Sequence, residues 1–165
     1  MAGLVPRRAA LVLFCSLVLD IQPMKTLTLD FEYDCDFELF GLVSSTREHK
    51  LAWLLNSDLR LRLVKQQDII YDLLSRGRLV ISNYLHTTHT CTLRLLRNRS
   101  VAPSTLKKPY LAPDVRQYDY LLQISNGTGT LAPEQVLARL TALDDVQHVC
   151  QLDPNQLEFK ENLFF

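Results

Sequence analysis

The chain has 165 residues, 47% of them hydrophobic and 22% charged. That is the balance of one globular domain able to bury a core, and it is too apolar for disorder. Lys+Arg and Asp+Glu number 18 each, which excludes a basic field recruiting nucleic acid or an anionic membrane surface.

Four cysteines (Cys15, Cys35, Cys91 and Cys150) are scattered without a CxxC pair, so they read as reduced thiols rather than a disulfide framework. At the start, Pro6-Arg7-Arg8 precedes an apolar run from Ala9 to Leu19, the charged opening and apolar centre of a secretory signal. The run is too short to span a bilayer. Asp20-Ile21-Gln22-Pro23 stands where the small residues of a cleavage site belong. We therefore expect translation to begin at Met24, with 1–23 a signal-like segment ahead of one domain over 24–165. On that reading the protein is cytoplasmic. A true signal would make it exported, and in a eukaryote Asn98-Arg99-Ser100 and Asn126-Gly127-Thr128 would then be glycosylation acceptors.

From Leu27 to Leu39 apolar and polar residues alternate strictly, the period of a half-buried strand. The run is long for one strand, so a bend near Tyr33-Asp34 is expected to divide it. Ser45-Thr46-Arg47-Glu48 has capping-box spacing, and Leu51, Leu54 and Leu55 follow at helical intervals, predicting a helix of about three turns. Leu59-Arg60-Leu61-Arg62-Leu63 returns to period two and predicts a strand with a basic outer face. Leu79–Leu85 and Thr90–Leu96, joined by His86-Thr87-Thr88-His89, predict a hairpin. Residues 98–109 read as a loop.

A strand through Tyr120–Ile124 comes next, then a Gly-rich turn. A second helix follows with Pro133 in its first turn, where the missing N–H costs nothing. Val136, Leu137, Leu140 and Leu143 line one face of it, and Val146–Leu152 reads as the last strand. Two strand–helix–strand units emerge, over 36–64 and 118–152. Each helix has one apolar stripe and needs a sheet to cover. The expected fold is α+β: a two-layer sandwich with two main helices over a mixed or antiparallel sheet. The sheet is built from two β-α-β units with an inserted hairpin.

Candidate sites are sparse. Asp30, Glu32, Asp34, Asp36 and Glu38 share one strand face; such a row can hold a hard cation or a basic partner, but first reads as a solvated face guarding an edge. His86, His89 and Cys91 are residue types that ligate zinc. A fourth ligand would have to come from His148 or Cys150, so the default is a pair of surface histidines and no metal. No Gly-x-Ser-x-Gly elbow occurs, and Asn126-Gly127-Thr128-Gly129 lacks the lysine of a phosphate loop. No catalytic constellation and no cofactor are expected.

The densest local pattern is Ala112-Pro113-Asp114-Val115-Arg116-Gln117-Tyr118-Asp119-Tyr120, running into an apolar strand. It resembles the signature of the bacterial IPExxxVDY family. Pro113, Asp119 and Tyr120 agree with it, while Ala112, Asp114 and Tyr118 replace the isoleucine, glutamate and valine of the name. Met24-Lys25 before an acidic strand, Leu51–Asn56 and Lys160–Phe165 extend the resemblance over roughly 24–165. It implies a small bacterial protein of a family with no established activity.

Read physically, Pro113 biases Ala112 towards extended backbone, and Asp114 is placed to accept from the amides of the following turn. Asp119 is expected to satisfy loop amides or an arginine, and Tyr120 to anchor in the core. The other reading of Asp114, Arg116, Asp119 and Tyr120 is a shallow recognition surface. The expected function is a non-enzymatic protein-interaction module, contacting neither nucleic acid nor membrane; a small-molecule-sensing domain is the rival and an enzyme a more distant one.

Overall fold

The computed structural model describes residues 35–73, 77–107, 109–126 and 132–165, all within one compact unit. The signal-like segment, the Met24 start and Asp30, Glu32 and Asp34 lie outside the described residues.

Strands β1 (Glu38–Val43), β2 (Val64–Lys65), β5 (Asn83–Thr87), β6 (Cys91–Arg97), β7 (Tyr120–Asn126) and β8 (His148–Leu152) form a six-stranded sheet in the order β2-β5-β6-β7-β1-β8. Every neighbouring pair is antiparallel. β3 (Ile69–Leu73) and β4 (Gly77–Ile81) make a separate two-stranded ribbon. Helices α1 (Glu48–Leu59) and α2 (Pro133–Thr141) connect β1 to β2 and β7 to β8. β7 and β8 run parallel to each other with β1 inserted between them, so this β-α-β unit is split. In the other unit, β5, β6 and β7 intervene between β1 and β2. The β5–β6 hairpin occupies the inserted position.

Both helices bury their stripes on one face of the sheet. Leu51, Ala52, Leu55 and Leu59 from α1 and Val136 and Leu140 from α2 pack on Phe40, Leu42, Leu93, Leu95, Leu122 and Ile124. Alternation turns Leu39, Leu96 and Leu121 to the opposite face. There they meet Leu79 and Ile81 of the ribbon, Leu111, Val115 and Tyr118 of the following loop, and Leu157 and Leu163 near the C-terminus. The helix-on-sheet sandwich therefore has its second face covered as well, by the ribbon and irregular chain.

Local expectations fail at three places. The capping box does not form: Arg47 is the N-cap and makes no side-chain cap bond. Glu48 instead pairs with Arg97 at 3.2 Å. The strand expected over Leu59–Leu63 is absent, because α1 continues through Leu59 and Arg60 turns left-handed at φ 54°. Asn56 then clamps the returning chain, accepting from Leu63 N–H at 2.6 Å and donating to Leu63 C=O at 3.0 Å. Only Val64 and Lys65 pair as strand. Finally, the run Leu79–Leu85 splits at Ser82, so that β4 joins the ribbon and β5 the main sheet.

Candidate functional site

The loop that leads from β6 to β7 is organised around Asn98, which is completely buried. Its Nδ2 donates to the carbonyls of Val115 at 3.1 Å and Tyr118 at 3.0 Å, with a longer contact to Ala112 C=O at 3.5 Å. Its Oδ1 accepts from Ala112 N–H at 2.9 Å. One amide thereby satisfies backbone groups at both ends of the 3-10 turn Pro113–Val115, groups that would otherwise be buried without partners. The reading of Asn98 as an ordinary loop residue, or as a sugar acceptor, is corrected by this burial.

Tyr118 closes the turn and lies across β1. A Cβ built on Gly41 would meet the Tyr118 ring at 2.5 Å from Cγ, so the ring sits where only glycine leaves room. An isolated glycine inside the apolar run Leu39–Val43 is the signal that could have announced this contact. The His148 ring stacks on that of Tyr118, 6.2 Å between ring centroids.

Asp119 bridges to the chain leaving β1. Its Oδ2 accepts from Ser44 N–H at 3.0 Å, and its own N–H donates to Leu42 C=O at 2.9 Å. Tyr120, 3% exposed, points into the helix-side core and donates its hydroxyl to Thr46 C=O at 2.6 Å. Burial pushes its phenol up to about 12. Thr46 Oγ1 and Lys50 Nζ both donate to Asp145 Oδ1 at 2.8 Å, holding that carboxyl below its usual value. Asp114 does not serve the turn that follows it. It accepts from Glu158 N–H at 2.7 Å and ties the C-terminal segment to the loop. Pro113 holds Ala112 extended, at φ −122° and ψ 93°. Arg116 is exposed.

Among the described residues, the other candidates do not converge. Asp36 is exposed, and Glu38 Oε2 accepts from Gln151 at 2.7 Å. His86 Nδ1 accepts from Arg62 N–H at 2.9 Å, His89 is exposed in the hairpin turn, and Cys91 is buried in the helix-side core. β7 and β1 stand between the hairpin and β8, which keeps His148 and Cys150 from completing that set. Among the described residues no three His, Cys, Asp or Glu side chains come together as a metal site.

Which strands lie at the edges of the sheet has no signal in local periodicity. Its two edges differ. β2 presents two residues, one of them Lys65, the kind of short charged edge that resists pairing. β8 presents five uncharged residues, His148-Val149-Cys150-Gln151-Leu152, and among the described residues pairs only with β1. Leu42 C=O points to β7, accepting from Asp119 N–H, and Val43 C=O points to β8, accepting from Gln147 N–H. Alternation along β1 then turns His148, Cys150 and Leu152 inward and leaves the backbone N–H and C=O of Val149 and Gln151 facing out.

Among the described residues, no helix is long and apolar enough to cross a membrane. No family model, curated protein or solved structure matches the chain.

Proposed function

We propose that this domain is a non-enzymatic interaction module that binds an extended segment of another protein by strand addition at β8. The observation that carries the reading is the uncharged five-residue edge that, among the described residues, pairs only with β1 and turns backbone groups of Val149 and Gln151 outward. Asp144 precedes the strand and Asp153 follows it, favouring a segment flanked by Lys or Arg. The loop motif itself is read as structural, since the Asp114 and Asp119 carboxylates are engaged with backbone amides of this chain. Membership of the IPExxxVDY family and a cytoplasmic location belong to the same reading. They are supported by the resemblance at Pro113, Asp119 and Tyr120 and by the scattered cysteines.

Proline at position 151 tests the edge directly. Gln151 N–H faces away from β1, so Gln151→Pro removes an outward donor while sparing the sheet's own bonds. The expected result is unchanged melting and loss of a partner that the wild-type protein captures from native lysate. In the complex, the Val149 and Gln151 amides gain protection from hydrogen exchange. Equal capture by the proline variant, without protection of those amides, refutes the edge reading. A concentration-dependent dimer of the protein alone, lost in the variant, assigns the edge to a second copy instead.

A further inference from the structure

On the sheet face opposite the helices, the apolar row gives way to four polar side chains. Thr92 and Arg94 of β6 stand directly across from Ser125 and Gln123 of β7, so the four make a square on one face. With Phe165 they line a concave site of about 250 Å³. Gln123 is committed, its Nε2 donating to Leu163 C=O at 3.0 Å. Arg94 is not. Its guanidinium lies 4.4 Å from the centroid of the Phe165 ring, and among the described residues it makes no ion pair or hydrogen bond.

A half-buried guanidinium without an acceptor forgoes the charge-assisted bonds that ordinarily offset its desolvation. Burial indeed pulls the Arg94 guanidinium below its usual value, with the nearby Tyr71 opposing the shift. An aromatic ring against the guanidinium supplies cation–π attraction yet accepts no in-plane hydrogen bond, so the N–H fork stays available for bidentate recognition. Thr92 and Ser125 add hydroxyl donors on the same face.

We propose that this square is a binding site for a small oxyanion-bearing ligand, a carboxylate or phosphate, gripped by Arg94 and oriented by Thr92 and Ser125. The volume admits a small anion or the anionic head of a larger molecule, not a drug-sized ligand. The site lies on a different part of the sheet from β8 and stands independently of the strand-addition reading.

The test titrates the full chain with inorganic phosphate and with succinate, at constant ionic strength set by chloride. The readouts are the melting temperature and the NMR resonances of the Arg94 Nε–H and the Thr92 and Ser125 amides. At least one of the two anions is expected to give saturable shifts, and the one that does identifies the preferred oxyanion. Arg94→Met, which keeps the apolar stem, is expected to weaken binding about tenfold or more. Should that variant not fold, Ser125→Ala and Thr92→Val, each weakening binding several-fold, replace it. The proposal is overturned by neither anion shifting those resonances, by chloride shifting them equally, or by folded variants binding as tightly as wild type.

Discussion

Asn98 is the residue on which the β6–β7 loop depends. Its neutral amide fits because one end faces carbonyls and the other an N–H. Asn98→Ala leaves these buried groups without partners and opens a small cavity. We expect it to cost about 3 kcal/mol or more. Asn98→Asp is nearly isosteric yet turns an acceptor towards the Val115 and Tyr118 carbonyls and buries a charge, so it is expected to cost more than alanine. Denaturant melts of the two variants check both the size and the order. An aspartate variant as stable as wild type would contradict the hub described here.

At the scale of elements, the loop is fastened to the sheet by an aromatic ring over a glycine. Gly41→Ala is expected to destabilise by about 1–3 kcal/mol, because its Cβ collides with the body of the Tyr118 ring, 2.5 Å from Cγ, rather than with a flexible tip. In a Tyr118→Ala background the same substitution should cost much less. A double-mutant cycle reads the difference, and strictly additive effects would mean the cost of Gly41→Ala does not come from the ring.

The helices and the β5–β6 hairpin were legible because their periodicity is local: one stripe at helical spacing, two runs around a short connection. The alternation over 59–63 is ambiguous for an equally physical reason. Leu59, Leu61 and Leu63 alternate, but Leu59 also completes the α1 stripe with Leu51 and Leu55, and the Asn56 clamp decides between the two periods. Edge and centre carry no local mark in a sequence. The exposed side of β8, the Asn98 hub and the Arg94 square all arise from which strands become neighbours. The candidate histidines of the hairpin stand out only by residue type, and the sheet order keeps them from His148 and Cys150.

For the molecule as a whole, alkaline pH is where the buried tyrosines act together. Tyr120 is pushed up to about 12 by burial, and burial raises Tyr71, Tyr84 and Tyr118 as well. Each binds its proton more tightly folded than unfolded. Their contribution is therefore complete below an unfolded value of about 10 and is lost as pH rises through the folded values, about 12 for Tyr120. Melting temperature is expected to hold below that window and decline within it. A tyrosinate absorbance titration should show one late-ionising ring, and completion of all rings near pH 10 would contradict that placement.

The split unit has a kinetic meaning too. β1 is the first of the described strands to be synthesised, yet both its neighbours, β7 and β8, come from the far end of the chain. Translation delivers the β5–β6 hairpin with its own partner at hand, while the Leu39, Phe40 and Leu42 row must wait for strands not yet made. Closing such distant pairs costs loop entropy before any contact repays it. Neither of these neighbours is available to β1 until β7, Tyr120–Asn126, has been made. The sheet can be completed only after β8 has emerged.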